Sequence, residues 1–364
     1  MLHQILLSLV HGRLLSILVA LLIVNDIIAA PFKAQDCRRV QPHQSIQEAI
    51  DQAHPGDRIE IEGGTYYEQI TITKDGIKLV GKKGATLKPP AHFDKNLCSG
   101  LSQTLDLKET EAGICIHGND IVLERYVLEH RKITSVGGFI KDVSITGLTV
   151  VGFNGENIAA VGAYKLRIYK NTLIDGGQYG LLSLGSKGTR AEKNVVSTTA
   201  IHYIGLMADD YSDAILSENY ITGYFTALVS QTPGGIIQQN KATNVCVGAA
   251  ADPGVKGTSI IGNQFSLRNP GCDKNFKIYG AGVVVYGATE TTVKGNVIEK
   301  FNNEGVGVGI FLLEGPGGEI ATENVIRKNT LLYNDVSIYD NSTGINDLGD
   351  NTCDTYSVPP TACT

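Results

Sequence analysis

The sequence predicts an all-β fold, a parallel β-helix solenoid of about ten coils with a short capping helix at its N-terminal end. Apolar runs that open with glycine or another small residue recur along the chain, as in 180–184 and 282–285, and they predict short strands. A repeat of about two dozen residues built from short strands is typical of a solenoid in which each repeat is one coil. The repeat itself is marked by six asparagines at intervals of 23, 25, 21, 23 and 33 residues: Asn171, Asn194, Asn219, Asn240, Asn263 and Asn296.

A hydrophobic leader opens the chain. Residues 14–24 form an apolar run of 11 residues that lies after His11 and Arg13 and before a pair of alanines. This pattern is typical of a secretory signal peptide. The alternative is an uncleaved membrane anchor, but polar residues interrupt the roughly 20 apolar residues that a span requires. We therefore predict a signal peptide over 1–30 and a protein that is secreted or resides in the lumen of the secretory pathway.

A short amphipathic helix is predicted next, at the start of a β-helix domain over 31–345. Ser45 and Glu48 have the spacing of a capping box, and Pro55-Gly56 ends the helix. One helical face is apolar, through Ile46, Ala49, Ile50 and Ala53. Such a helix can close the open end of a solenoid, where an uncovered coil would expose a strand edge. The polar residues 346–364 are predicted to be a closing tail.

The recurring asparagines are predicted to form a column inside the stacked coils. Equivalent residues of successive coils lie about 4.8 Å apart, and an Asn side chain can bond both the backbone and the next Asn. Asn also tolerates the left-handed backbone conformation that tight turns need. We therefore assign these residues a structural role and no chemistry.

These features resemble the right-handed parallel β-helix of the pectin lyase-like superfamily. The resemblance covers about residues 43–345 and is most specific in the segments 45–59, 64–68 and 77–81. It implies a carbohydrate-active protein, a lyase, hydrolase or epimerase acting on a uronic-acid polysaccharide. The catalytic motifs of individual families are absent, apart from the paired Asp209-Asp210 that is similar to one polygalacturonase motif.

All seven cysteines follow the leader, which favours disulfides in an oxidising compartment. The pairs that are near in sequence are Cys98–Cys115, Cys246–Cys272 and Cys353–Cys363, and this pairing leaves Cys37 over. The sequence alone does not fix the connectivity. The spacing lacks the CxxC pattern of a zinc site. Asn341 begins an Asn-Ser-Thr glycosylation motif.

Two insertions interrupt the coil period, at 89–112 and 266–281. In the superfamily that the chain resembles, such excursions wall a groove along the solenoid. Loops on rigid scaffolds often carry function. The alternative is that both insertions are plain decoration.

Aligning the coils on the asparagines brings several polar residues to one edge of one sheet. Carboxylates about 5–10 Å apart suit acid and base roles on a glycosidic bond, or the binding of Ca²⁺. No firm metal site or cofactor is predicted. The alternative is that these are solvated turn residues, since Asp is common in turns. The catalytic candidates are Asp209, Asp210, Asp252 and His202, and the candidates for substrate binding are Gln231, Tyr286 and Glu314.

Consecutive apolar residues in runs such as 283–285 and 310–313 predict that one sheet is covered on its outer side. The cover could be the tail, an insertion, a partner chain or an apolar small molecule. A small-molecule cyclase or isomerase and a non-catalytic binding protein therefore stay open beside the carbohydrate-active interpretation. A net charge of −6 argues against a nucleic-acid partner. A membrane would be a partner only if the leader were uncleaved.

Overall fold

A computed structural model describes residues 37–104, 106–127, 130–272 and 280–364. The predicted leader lies outside these residues, and so does part of the second insertion. The described chain forms a parallel β-helix with three long parallel sheets, here called sheets A, B and C. The predicted all-β solenoid is confirmed, since the sheets hold twelve, eleven and ten strands.

Each complete coil contributes one strand to each sheet in the order A, B, C, whereas the first and last turns of the chain are incomplete. Sheet A contains Cys37–Val40, Arg58–Ile61, Lys78–Gly81, Ser144–Thr146, Arg167–Tyr169, Arg190–Glu192, Ile215–Ser217, Ile236–Gln238, Ser259–Ile261, Thr292–Lys294, Val325–Arg327 and Asp347–Gly349. Sheet B contains Gly64–Tyr67, Ala85–Lys88, Thr149–Val151, Thr172–Ile174, Val195–Ser197, Tyr220–Thr222, Lys241–Val245, Gln264–Arg268, Val297–Glu299, Thr330–Leu332 and Thr352–Cys353. Sheet C contains Ile70–Ile72, Ile114–His117, Glu156–Val161, Tyr179–Leu184, Ile204–Asp209, Thr226–Ser230, Val247–Ala251, Ala281–Tyr286, Val308–Leu313 and Val336–Asn341.

Two smaller sheets complete the described strands. Ile140–Lys141 pairs with Ala163–Tyr164 in parallel, at the turn that leads from sheet C to sheet A. Asn119–Val127 and His130–Gly138 pair in antiparallel fashion and form a long hairpin, here called the hairpin. No pattern in the sequence predicted this hairpin.

The predicted capping helix is present as α1, Ile46–Gln52. The Ser45 hydroxyl accepts a hydrogen bond from the N–H of Glu48, at 3.1 Å. The Glu68 carboxylate also accepts hydrogen bonds from two N–H groups of the first turn, at 2.8 and 3.1 Å. At the other end, the Lys74 ammonium donates to three backbone carbonyls. Both ends of α1 are therefore satisfied by side chains of the first coil.

The asparagine column forms as predicted. Asn194 donates its backbone N–H and its side-chain Nδ2–H to Oδ1 of Asn219, at 2.9 and 3.0 Å. The same Nδ2 also donates to the carbonyl of Ile168 in the preceding coil, at 2.9 Å. This pattern repeats along the column, which continues beyond Asn296 to Asn329 and Asn351. The column therefore satisfies buried backbone groups at the turn between sheets A and B.

The left-handed backbone conformation falls on the residue before each asparagine, and not on the asparagine as the sequence analysis suggested. Lys170, Lys193 and Glu218 have φ values of 53°, 57° and 54°. The left-handed residue turns the corner, and the Asn that follows then points into the coil. Because its side chain faces the interior, each Asn is buried.

The small residues that open the sheet C strands are required by close packing between coils. A Cβ atom at Gly180 would lie 2.5 Å from the carbonyl oxygen of Gly205 and 2.6 Å from Val196 of sheet B. Both separations are shorter than normal van der Waals contact. The glycine signal in the sequence therefore reports the approach of sheet C to sheet B and the next coil.

All three predicted disulfides are present, between Cys98 and Cys115, Cys246 and Cys272, and Cys353 and Cys363. Cys37 is exposed and is not in a disulfide with a described cysteine. The tail adds a final strand to sheets A and B, and the 3₁₀ helix Pro360–Ala362 then lies against the last coil. Ala362 is fully buried there.

Candidate functional site

The outer face of sheet C is apolar and largely buried. A second hydrophobic cluster, separate from the coil interior, includes Ala159, Leu182, Leu184 and Met207. Ile133 of the hairpin and other apolar residues of that hairpin pack against this cluster. The consecutive apolar residues in the sequence therefore reflect one side facing the coil interior and the other facing a cover. In these coils the chain's own hairpin supplies part of the cover.

A row of polar side chains follows this apolar area at the carboxyl edge of sheet C. Asp209 is in register with Leu184 in the preceding coil, and Ala208 is in register with Ser230. The next residue in each coil therefore continues the row. The row, here called the polar row, consists of Asp209, Gln231, Asp252 and Tyr286.

The side chains of the polar row contact one another and the hairpin. The Gln231 Nε2 group donates to Oδ2 of Asp252 at 2.5 Å. The Lys132 ammonium, from the hairpin, donates to Oε1 of Gln231 at 2.9 Å and lies 3.3 Å from Oδ2 of Asp209. Lys132 thus links two coils, and it remains 36% exposed to solvent.

His130, which also lies on the hairpin, contacts Asp209. Its Nε2 atom lies 3.5 Å from Oδ2 of Asp209, and its Nδ1 atom lies 3.3 Å from the Tyr179 hydroxyl. His130 is 2% exposed and Tyr179 is fully buried. The Asp209 carboxylate is more accessible, with 16% of its side chain exposed. A buried histidine and a partly exposed lysine therefore both contact one partly accessible carboxylate.

Asp210 does not join the polar row. Successive strand residues point to opposite sides, so the side chain of Asp210 enters the coil while Asp209 faces outward. Oδ1 of Asp210 accepts hydrogen bonds from the Ser183 hydroxyl at 2.8 Å and the Ser186 N–H at 3.2 Å. The backbone N–H of Asp210 donates to Oγ1 of Thr232 in the next coil. Asp210 is thus part of a second column of interior side chains that hydrogen-bond from coil to coil. The expectation that it lies beside Asp209 as a catalytic residue is corrected, because its side chain points into the coil.

Burial raises the pKa of Asp210 to about 6, although hydrogen bonds from Thr189, Ser183 and the Ser186 N–H partly oppose the shift. The folded protein then holds a proton at this site more tightly than the unfolded chain does. The contribution of Asp210 to stability should therefore be fully present below the unfolded value of 3.8 and be lost as the pH rises through about 6. The cost of ionising Asp210 at pH 8 is about 3 kcal/mol, since one pKa unit corresponds to about 1.4 kcal/mol.

Replacement of Asp210 by asparagine is expected to stabilise the protein at pH 8 by about 2 kcal/mol and to have little effect near pH 4. The expected gain is smaller than the full cost of the charge because the new amide introduces an N–H group into the interior. Urea unfolding of wild type and D210N across this pH range measures the difference. The matched control is D94N, since Asp94 is exposed. An equal gain at both pH values would contradict the assignment.

The predicted catalytic histidine, His202, lies away from the polar row. His202 precedes the sheet C strand that ends at Asp209, so about 17 Å of strand separates them. Burial lowers the pKa of His202, and its ring lies 6.5 Å from that of Tyr224. His202 is therefore not part of the same site.

Two of the predicted substrate-binding residues belong to the polar row, and the third is nearby. Glu314 follows Leu313, which is in register with Tyr286. Its carboxylate accepts hydrogen bonds from the N–H and hydroxyl groups of Thr343, at 2.6 and 3.0 Å. Glu314 thus stabilises the turn of the next coil that contains Thr343. Asn341 is exposed at the end of its strand, and its glycosylation stays a prediction.

His130 and Lys132 were not among the predicted site residues because the hairpin that carries them was not predicted. The alternation of residues 119–138 resembles that of a coil, and nothing local in the sequence shows that the segment folds back on itself. The described residues contain no group of three or more His, Cys, Asp or Glu side chains that could hold a metal ion. No described helix has the length and apolar character needed to cross a membrane.

No protein-family model matches the chain, and no curated protein matches it in sequence. Solved structures match its fold. An alginate lyase from Paenibacillus sp. str. FPU-7 is 14% identical with a TM-score of 0.51, over 82% of this chain and 97% of the lyase. The A-module of the mannuronan C-5 epimerase AlgE4 from Azotobacter vinelandii is 15% identical with a TM-score of 0.53, over 86% and 93%.

A tailspike protein mutant of E. coli bacteriophage HK620, in complex with a pentasaccharide, is 10% identical with a TM-score of 0.56. The alignment covers 87% of this chain and 62% of the tailspike chain. The chain is a right-handed parallel β-helix. Identities this low establish the fold of this β-helix and leave its activity to be argued from its own residues.

Proposed function

We propose that this β-helix is a secreted, carbohydrate-active protein that hydrolyses a polysaccharide at the polar row. The observation that supports this most directly is the outward-facing series Asp209, Gln231 and Asp252, with Lys132 bridging the first two. Three disulfides fit an oxidising, extracytoplasmic location. The structural neighbours include an alginate lyase and a tailspike in complex with a pentasaccharide, which supports this class of ligand by analogy of fold.

The spacing of the two carboxylates suits hydrolysis with inversion. Asp209 and Asp252 lie two coils apart, so their backbones are separated by about 10 Å. Inverting glycosidases hold their two carboxyl groups about 6.5–9.5 Å apart, which leaves room for a water molecule. Side chains that lean toward each other across Gln231 would reach that range.

Each carboxylate has a distinct environment. Asp209 lies 3.3 Å from the Lys132 ammonium, and we assign it the role of the general base that takes a proton from the attacking water. Asp252 lies on the other side of Gln231 from the Lys132–Asp209 pair, and we assign it the role of the general acid that gives a proton to the glycosidic oxygen. Water then bonds to the anomeric carbon as the bond to the leaving sugar breaks.

The local charge favours a neutral sugar over a strongly acidic one. Burial, followed by the carboxylates of Asp252 and Glu319, raises the pKa of Tyr286. The Tyr286 phenol therefore stays protonated and can donate a hydrogen bond to a sugar hydroxyl. The same acidic surroundings disfavour Tyr286 as the base of an elimination reaction on a uronic acid.

Aromatic side chains extend the outer face beyond the polar row. The rings of Phe311 and Tyr339 are stacked with centroids 5.5 Å apart, in neighbouring coils and both partly exposed. Such a pair can support the apolar face of a sugar ring. In the coils near residues 159–184 the hairpin supplies part of the cover over the apolar surface, which leaves less of that surface for an apolar small-molecule ligand.

A lyase or epimerase acting on a uronic-acid polysaccharide is the second candidate, because Lys132 could neutralise a uronate carboxylate.

A screen of substrates separates the hydrolase from the lyase or epimerase. Purified protein is incubated with neutral glucans, galactans and mannans, and with pectin and alginate. New reducing ends without ultraviolet absorbance support hydrolysis, whereas absorbance from unsaturated products supports a lyase. Silence in both assays by folded protein would overturn the proposed function.

A further inference from the structure

Six cationic side chains lie on two neighbouring coils, on the sheet A side of the β-helix. Residues 163–193 contain two acidic residues, although the whole chain has 37 acidic residues against 31 Lys and Arg. The charge of this segment is therefore opposite in sign to that of the protein. These cations, here called the basic belt, are Lys165, Arg167, Lys170, Lys187, Arg190 and Lys193.

Strand register brings the cations together in pairs. Arg167 is directly in register with Arg190. Tyr169 is in register with Glu192, so the residues that follow them, Lys170 and Lys193, are also neighbours. Neighbouring coils lie about 4.8 Å apart, and successive pairs follow every three residues along the strand, which is about 10 Å. The belt is thus a narrow strip of positive charge that runs along the strand direction.

Aromatic rings hold several of these cations in place. The Arg167 guanidinium lies 4.3 Å from the ring centroid of Tyr169. The Lys187 ammonium lies 5.0 Å from the ring of Phe139 and 5.8 Å from that of Tyr211. Cation–π contacts orient a cation without neutralising its charge. The rings also present apolar surface between the charges.

Most of the positive charge is not compensated within the described chain. Arg167 lies 3.3 Å from Glu192, and Lys193 lies 3.4 Å from Glu218. The other four belt cations have no carboxylate within 4.0 Å among the described residues: Lys165, Lys170, Lys187 and Arg190. Three of these four are exposed, and Lys187 is partly so. The belt can therefore accept anionic groups from outside.

We propose that the basic belt binds an anionic polysaccharide, a sugar chain that carries carboxylate or sulfate groups, at a site separate from the polar row. Successive pairs of cations lie about 10 Å apart along the strand direction, close to the length of two sugar residues in an extended chain, so a chain that lies along the belt can present anionic groups to more than one pair. The interleaved rings can contact the apolar faces of the sugars. This non-catalytic site goes beyond the proposed hydrolysis and does not depend on it.

A thin glycan fits this surface better than a nucleic acid does. Duplex DNA carries a charge about every 1.7 Å and is wide, so it would extend beyond the two coils that hold the belt. A single polysaccharide chain can stay within the two coils.

The test measures binding of the full purified chain to polygalacturonate and to dextran sulfate, by isothermal titration at several salt concentrations. A matched pair of variants changes the net charge equally. K187E/R190E reverses two belt cations, whereas K294E/K328E reverses two exposed lysines on distant coils of the same side. Neutral dextran and duplex DNA serve as competing ligands.

Wild type is expected to bind at least one polyanionic glycan, and K187E/R190E is expected to bind at least tenfold more weakly. The slope of log affinity against log salt should fall by about two for the loss of two contacts. K294E/K328E should bind like wild type. K187Q/R190Q, which removes the charge without reversing it, should show the same direction of change, with thermal unfolding as the check on folding.

Three results would overturn the proposal: no binding by wild type to either glycan, equal losses in both charge-reversal variants, or stronger binding of duplex DNA than of the glycans. The test is independent of catalysis. A variant with both Asp209 and Asp252 replaced by asparagine should keep its affinity at the belt. Failure of the hydrolysis screen therefore leaves this proposal standing, and the reverse also holds.

Discussion

Replacement of Asn219 by alanine is expected to lower the free energy of unfolding by about 4 kcal/mol. The side chain accepts two hydrogen bonds from Asn194 and donates one to the carbonyl of Ala191 and one to Asn240, at 2.9–3.0 Å. Truncation leaves several of these buried groups without partners, and each such group costs about 1–3 kcal/mol. Urea unfolding followed by circular dichroism measures the loss.

The control for this variant is Q264A. Gln264 is an exposed amide that directly follows Asn263 of the column. Its truncation should change stability by less than about 0.5 kcal/mol. The double variant N194A/N219A should lose less than the sum of the single losses, since the two side chains share hydrogen bonds. A cost below about 1 kcal/mol for N219A would contradict a structural role for the column.

Replacement of Asp252 or Asp209 by asparagine is expected to lower the hydrolysis rate by a factor of about 10²–10⁴ in each case, without loss of folding. This range is the usual contribution of one positioned acid or base. Both side chains are partly exposed and neither lies in the coil interior, so an isosteric amide should be tolerated. The rate is followed as new reducing ends on the best substrate from the screen.

The controls separate catalysis from general damage. D94N, at an exposed position, should keep full activity. Replacement of Lys132 by methionine should reduce the rate less than loss of either carboxylate, because it removes a partner of Asp209 and not a reacting group. Proton magnetic resonance of the first product should show inversion at the anomeric carbon. Retention of configuration would exclude the assignment of Asp209 as the base.

The repetitive parts of this molecule could be predicted from the sequence, since each coil repeats the same local demands. The spacing of the asparagines, the small residues before sheet C and the near pairs of cysteines all have local causes. Gly180, for example, is required by contact with the next coil and with sheet B. Such constraints leave a visible period in the sequence.

Two features could not be predicted because they depend on orientation or on distant contacts. Asp209 and Asp210 are adjacent, and a strand sends one outward and the other inward, but the sequence does not state which. Lys132 and Gln231 are 99 residues apart, and their contact exists because the hairpin folds over the coils. The polar row could therefore be predicted in part from the coil period, whereas the hairpin that packs against it could not.

The hairpin that carries Lys132 is supported by the first insertion. The backbone N–H of Arg131 donates to the carbonyl of Leu101, and the Tyr126 hydroxyl donates to that of Gly100. The Cys98–Cys115 disulfide joins the same insertion to sheet C. Selective reduction of this disulfide would remove one link between the insertion and sheet C, and would leave the hydrogen bonds of the asparagine column untouched. The position of the Lys132 ammonium is therefore coupled, through the insertion, to a covalent bond outside the polar row.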